Sequence, residues 1–153
     1  MQKVKYFLIV IFFLFLGFIL MNQPSNDFKL ENIKYVKIAG QEVKVELAFT
    51  LEARTQGLSN RKELKKGEGM LFIFERLGNY PFWMKDMNFP IDIIWIGEDM
   101  KVVYIKKDAR PESYPEAYGP QKEDKNAKYI LEVVSGFSDK NNLKIGDEVE
   151  LTR

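Results

Sequence analysis

The chain has 153 residues, with 23 lysines and arginines against 22 aspartates and glutamates, and its net charge is +1. This balance provides no basic excess for contacts with a nucleic-acid backbone, so binding to DNA or RNA is not expected. Histidine and cysteine are absent, which excludes histidine-based catalysis, cysteine nucleophiles, disulfides and ordinary zinc or iron–sulfur sites. We therefore predict no metal site and no cofactor, while a serine–lysine or carboxylate site is still compatible with the composition, and carboxylates could also hold a hard cation together with backbone oxygens.

Residues 1–21 predict a signal anchor. Lys3 and Lys5 precede the uncharged apolar run Tyr6–Met21. A helix of this run is roughly 24 Å long, and the uncharged residues beyond it and the snorkelling lysines make a membrane span feasible. No pair of small residues marks a cleavage site, so an uncleaved anchor is favoured over secretion after signal cleavage. The positive-inside rule places the following domain on the extracytoplasmic side.

Residues 22–29 are interpreted as a tether, and residues 30–153 as one soluble β-rich domain. Ile33–Ile38 is a candidate strand, and Val43–Phe49 alternates between apolar and polar residues, which is typical of a half-buried strand. Leu51–Gln56 is predicted to be a short helix. Its ends are marked by Thr50, a good N-cap, and by Gly57, a good C-terminal stop.

The second half of the domain is predicted to contain mainly strands. Met70–Phe74 is an apolar run with two aromatic residues, and Ile91–Ile96 is predicted to pair with Met100–Ile105 through a Gly-Glu-Asp turn. The strand Tyr129–Val134, a helical fragment within Gly136–Asn142 and a closing strand Glu148–Thr152 follow. Short strands, hairpins and one or two short helices predict a mainly β (β-rich α+β) domain, which forms a small partly closed barrel or a folded-over sheet.

The segment Asp108–Ala127 interrupts this pattern. It contains three prolines and two tyrosines, Tyr114 and Tyr118, and shows no periodic pattern. Long loops without regular structure in a compact domain are often functional. The sequence leaves open whether this segment is a lid or binding loop, or a passive excursion.

Two carboxylates lie in apolar strands, where an isolated charge is costly. Asp92 shares a strand face with Ile94 and Ile96, and Glu132 shares one with Ile130 and Val134. They could form a general acid/base pair that hydrolyses envelope glycans if their carboxyl groups faced one cleft. The favoured alternative is structural, with each acid paired to an arginine, a lysine or backbone amides.

Three cations are candidate partners for these acids or for a ligand. Arg54 is expected to be a solvated surface charge, while for Arg61 a structural role and a ligand-binding role are equally expected. Lys85 follows an apolar triplet, and a salt bridge to Asp86 or Asp92 is expected for it.

Aromatic residues provide a second type of candidate site. Trp83, Trp95, Tyr114 and Tyr118 could form a platform for a sugar ring or an extended peptide. The alternative is that both tryptophans lie in the core and that the tyrosines make surface contacts or pack within their loop.

The chain resembles the uncharacterised domain-of-unknown-function family 192. The resemblance covers most of residues 43–151 and rests on an ordered set of residues: Gly57, Leu58, Arg61, Gly69, Met70, Leu71, Phe72, Trp83, Met84, Lys85, Pro90, Ile91, Asp92, Leu131, Glu132, Gly136, Gly146 and Asp147. Where the family usually has asparagine and threonine after the lysine or arginine, this chain has Asp86 and Met87. The resemblance implies a compact, mostly β fold, often exported, and draws attention to Arg61, Trp83, Lys85, Asp92 and Glu132.

The function expected from the sequence is that of a membrane-anchored extracytoplasmic binding or accessory module of the cell envelope. Its binding residues would be Arg61, Trp83, Lys85, Asp92 and Glu132, with a glycan or a peptide as ligand. The alternative is the carboxylate-dependent hydrolase, with Asp92 and Glu132 as weak catalytic candidates. An enzymatic activity is less expected than binding.

Overall fold

The computed structural model describes residues 30–120 and 126–153, so the predicted anchor and tether lie outside the described residues. The regular elements are β1 (Tyr35–Ile38), β2 (Gln41–Ala48), α1 (Leu51–Gln56), β3 (Glu68–Gly78), β4 (Phe82–Trp83), β5 (Ile91–Ile96), β6 (Val102–Ala109), β7 (Ala117–Tyr118), β8 (Ala127–Val134), α2 (Phe137–Lys140) and β9 (Val149–Thr152), with 3₁₀ turns at Leu30–Asn32 and Pro111–Ser113. Among the described helices, none is long and apolar enough to cross a membrane.

Seven strands form one sheet in the order β6-β5-β8-β3-β2-β1-β9. Neighbours are antiparallel except β2 and β3, which are parallel and are connected through α1. The two edge strands approach each other at one end, where Lys101 forms a bridge with Glu148 and the amide of Val149 donates to the carbonyl of Met100 at 2.9 Å. The sheet is therefore curled into a half-barrel, which confirms the mainly β prediction and the partly closed barrel.

Both faces of the curled sheet are buried. The inner face carries an apolar cluster to which all seven strands contribute, including Val36, Leu71 and Leu131. The outer face carries a second cluster, with Phe72 and Trp95, which packs against residues of the α1 and β4 segments. Every residue of β5 is buried, so this strand is covered on both sides.

Helix α1 has the predicted ends. The hydroxyl of Thr50 accepts a hydrogen bond from the backbone amide of Ala53 at 3.1 Å. Gly57 ends the helix with φ of 50°, in the left-handed region that favours glycine. A Cβ atom at Gly57 would lie 3.3 Å from the ring of Phe72, so this glycine also allows α1 to approach β3 closely.

Arg54 corrects one prediction, because it is not a solvated surface charge. Its Nη1 donates to the carbonyl of Phe49 at 2.6 Å and to the carbonyl of Ile73 at 3.0 Å. Its guanidinium also lies 5.1 Å from the ring centre of Phe74. The carbonyls of Phe49 and Ile73 both need a hydrogen-bond donor, and Arg54 supplies it from α1. Arg54 therefore connects α1 to β3.

The segment Asp108–Ala127 has more regular structure than the sequence indicated. Strand β7 pairs with β4, with Phe82 opposite Tyr118 and Trp83 opposite Ala117. Tyr118 is buried. It packs in the apolar cluster on the outer face and so attaches this proline-rich segment to the sheet. The β4–β7 ribbon therefore lies over the sheet near α1.

Candidate functional site

Asp92 is fully buried and braces the fold. Its Oδ1 accepts hydrogen bonds from the amides of Asp108 at 2.9 Å and Gly136 at 3.2 Å, and its Oδ2 accepts one from the amide of Ser138 at 2.7 Å. These bonds join the end of β6 and the start of α2 to β5. Charge-assisted bonds of this kind are stronger than neutral ones, so Asp92 agrees with the structural alternative, with backbone amides as its partners.

Asp92 and Glu132 lie on opposite faces of the sheet. In the pairing of β5 with β8, Asp92 is opposite Val133 and Glu132 is opposite Ile93. Because successive residues of a strand point to opposite faces, Asp92 faces the inner cluster and Glu132 the outer one. The predicted acid pair across one cleft is therefore wrong, and with it the two-carboxylate mechanism of the hydrolase alternative.

Glu132 lies in a cavity on the outer face of the sheet. This Glu132 cavity, of about 310 Å³, lies between α1 and the segment that carries β4. Phe72, Phe82 and Trp83 contribute aromatic surface to it, and Arg54 also lines it. At the rim, Leu51 is 69% exposed and Trp83 is 59% exposed. The result is an apolar pocket with one acidic side chain in its lining.

The carboxyl group of Glu132 has no partner in the described ranges. Its Oε2 is buried without a hydrogen bond. Burial raises the pKa of Glu132 to about 8, although the nearby positive charge of Arg61 lowers it in part. The group is therefore mostly protonated at pH 7 and can donate a hydrogen bond. Leaving a buried polar group unsatisfied typically costs about 1–3 kcal/mol, so a partner in the cavity would be stabilising.

Arg61 stands next to the cavity but is paired elsewhere. Its Nη1 and Nη2 contact the two carboxylate oxygens of Glu46 at 2.5 and 2.8 Å. This fork-to-fork pair holds the pKa of Glu46 below its usual range and raises that of Arg61. The carbonyl of Arg61 also accepts a bond from the amide side chain of Asn88 at 2.8 Å. Arg61 therefore has a structural role, and it affects Glu132 only through its charge.

Trp83 and Lys85 differ from expectation. Trp95 is fully buried, as expected for the core, whereas Trp83 is largely exposed and contacts Tyr114 edge to face at 6.4 Å between ring centres. Lys85 is exposed and forms no ion pair within the described residues, so its expected salt bridge is wrong. Asp86, its neighbour in sequence, adopts a left-handed backbone with φ of 56°.

The structure therefore brings together only part of the predicted cluster. Glu132 and Trp83 line one cavity, Arg61 is coupled to it by charge, and Lys85 and Asp92 do not line it. The contribution of α1 and of the residues after it to the cavity was not predicted from the sequence. A signal for it was Leu51, an apolar residue directly after the N-cap Thr50. No group of three acidic side chains that could hold a metal ion occurs within residues 30–120 and 126–153.

Two solved structures are similar to this chain. A protein of unknown function from Novosphingobium aromaticivorans is 29% identical, with a TM-score of 0.71 over 84% of this chain and 89% of that chain. A candidate transcription regulator from Sinorhizobium meliloti is 28% identical, with a TM-score of 0.68 over 76% of this chain and 90% of that chain. No curated protein matches the chain.

The family comparison agrees with the resemblance inferred from the sequence. The pattern of DUF192, described as "Uncharacterized ACR", matches residues 34–151. The match spans β1 to β9 and includes the residues of the Glu132 cavity. The chain therefore belongs to the uncharacterised family DUF192.

Proposed function

We propose that this protein is a membrane-anchored, extracytoplasmic binding module of the cell envelope, whose ligand is an extended peptide with one apolar side chain in the Glu132 cavity. The observation that carries the proposal is a cavity walled by aromatic side chains whose lining includes Glu132, a buried acid with an unpartnered Oε2. Buried polar groups normally have a hydrogen-bond partner. A ligand is the partner for which this cavity has room.

The lining favours an apolar side chain over a sugar ring. A sugar needs several hydrogen-bond partners, but the side chains of the other polar residues in the lining are already bonded to backbone carbonyls. Thr55 donates to Leu51, Gln56 donates to Ser59, and Ser59 donates to Lys85. Arg54 is likewise engaged with two carbonyls. Among the described lining residues, Glu132 is then the one with a buried side-chain oxygen that has no hydrogen bond, and one donor suits one peptide carbonyl.

The proposed geometry of binding follows from these groups. The protonated carboxyl of Glu132 donates a hydrogen bond to a carbonyl of the peptide main chain, and the adjacent apolar side chain contacts Phe72 and Phe82. The exposed faces of Leu51 and Trp83 contact the flanking residues of the peptide. Aromatic anchors in desolvated pockets commonly dominate the energy of such interfaces.

The membrane-anchored location is supported by the charge and hydropathy of the N-terminal sequence, where Lys3 and Lys5 precede an uncharged apolar run. The charge of this chain does not favour a role in transcription such as the one in the description of the Sinorhizobium meliloti protein, since 23 basic residues against 22 acidic ones provide no electrostatic basis for nucleic-acid binding. Fractionation tests the location: the full-length protein is expected in the membrane pellet after carbonate washing, and recovery in the supernatant would contradict an uncleaved anchor.

Binding is tested with capped tripeptides whose central residue is leucine, phenylalanine, lysine or aspartate, and with N-acetylglucosamine oligomers as a glycan probe. Calorimetry on the full-length protein should detect the leucine and phenylalanine peptides only. The variant Glu132→Ala should bind at least about tenfold more weakly. Glu132→Gln should retain binding, because its carboxamide can still donate to a carbonyl.

The matched control is Glu75→Gln, which changes an exposed glutamate of β3 and should leave affinity unchanged. Equal binding by the wild type and Glu132→Ala would contradict the proposal. Binding of the glycan oligomers without any peptide would replace the peptide ligand by a sugar.

A further inference from the structure

A second cavity lies away from the Glu132 cavity. It has a volume of about 700 Å³ and is formed by the start of β2, the turn before β3, the end of β8 and α2. It shares no lining residue with the Glu132 cavity. Its two cationic residues are Lys66, from the turn before β3, and Lys140, from α2.

We propose that this second cavity binds a small phosphate-bearing molecule between Lys66 and Lys140. Lysine is a common phosphate ligand, acting as a compact point charge with rotatable donors. Two ammonium groups that meet over a cavity concentrate positive charge at one point. A dianionic group placed between them would neutralise both.

The two lysines lack carboxylate partners in the described part of the chain. The ammonium of Lys66 lies close enough to Lys140 to lower the pKa of Lys140, and no acid counteracts this effect. Asp139, the acidic neighbour of Lys140, is paired with Lys107 at 2.5 Å. Glu42 also lines the cavity, on the β2 side. It forms no ion pair within the described residues, and Lys37, which stands opposite it in the strand register, is paired with Glu150 at 3.6 Å. The close approach of two like charges is unfavourable until an anion joins them.

The rest of the lining indicates what the molecule carries besides its phosphate. The polar side chains are already bonded: Asn141 donates to the carbonyl of Phe137, and the hydroxyl of Ser135 donates to Asp108. Val134 and Phe137 supply apolar surface. The lysines are therefore the free donors, and a phosphate on a small apolar or aromatic body fits the cavity better than phosphate alone.

The test uses inorganic phosphate and phenyl phosphate, titrated into the full-length protein at constant ionic strength set by chloride. Phenyl phosphate should bind more tightly than phosphate. Each of Lys66→Gln and Lys140→Gln should weaken binding of phenyl phosphate by about tenfold. Both lysines are exposed, so the folded state of each variant can be verified by circular dichroism.

The control is Lys65→Gln, which removes an exposed neighbouring charge that does not line the cavity. This variant should bind phenyl phosphate as the wild type does. The proposal is overturned if binding is not saturable, if chloride displaces phenyl phosphate as readily as phosphate does, or if the control weakens binding as much as Lys66→Gln.

Discussion

The variant Glu132→Gln tests how burial controls the charge of the Glu132 cavity. The carboxyl has a pKa of about 8 in the folded protein, against the ordinary value of 4.5 that represents the unfolded chain. Each unit of difference corresponds to about 1.4 kcal/mol. Ionising Glu132 in the folded protein therefore costs roughly 4–5 kcal/mol more than in the unfolded chain.

The sign of the pH dependence follows from proton binding. Because the folded pKa is the higher one, the folded state holds the proton more tightly than the unfolded state. The stabilising contribution is complete below about pH 4.5 and is lost as the pH rises through about 8. Glutamine has no proton to lose, so the Glu132→Gln variant lacks this contribution to the pH dependence.

The assay is urea denaturation of the full-length wild type, Glu132→Gln and the exposed control Glu75→Gln, from about pH 5 to about pH 9. The free energy of unfolding of the wild type, relative to Glu132→Gln, should fall by up to about 1.4 kcal/mol per pH unit until about pH 8. The control should run parallel to the wild type. Parallel curves for the wild type and Glu132→Gln would refute the reasoning that burial keeps this carboxyl protonated.

Three further variants separate stability from binding. Asp92→Asn should lower the free energy of unfolding by about 2–4 kcal/mol, because the carboxamide cannot accept hydrogen bonds from all three backbone amides. A small change in the urea midpoint would contradict the structural role of Asp92. Gly57→Ala should lower the free energy of unfolding by about 1 kcal/mol or more, because φ at this position is positive and the ring of Phe72 is close. Urea denaturation measures this change, and an unchanged midpoint would contradict the need for glycine at this position. Trp83→Ala should change stability by only about 0.5 kcal/mol yet weaken peptide binding in calorimetry, and unaltered affinity would remove Trp83 from the site.

Local chemistry made part of the fold predictable. The helix Leu51–Gln56 was predicted with its observed bounds, because the N-cap Thr50 and the stop Gly57 act through neighbouring residues. The buried strand Ile91–Ile96 was predictable from its run of β-branched residues, and so was the need of Asp92 for partners. The identity of those partners was not predictable, because they are amides that lie between 16 and 46 residues away in sequence.

The candidate site depended on information that single strands do not contain. The prediction of an acid pair was wrong because the register sets Asp92 opposite Val133 and not opposite Glu132. A shift of the register by one residue moves a side chain to the other face of the sheet. The exposure of Trp83 had a sequence signal. Phe82 and Met84 on either side are more buried, and alternation along an extended segment places Trp83 on the other side.

The most direct test of the central claim is a carbon-13 NMR titration of the Glu132 side-chain carboxyl in the full-length protein, assigned with Glu132→Gln. Without ligand, the titration midpoint is expected near the pKa of about 8. The capped tripeptide with a central leucine should raise this midpoint, because a hydrogen bond donated to the peptide carbonyl favours the protonated form. A midpoint near the unfolded value of 4.5, or one that the peptide does not shift, would contradict the Glu132 cavity as the peptide-binding site.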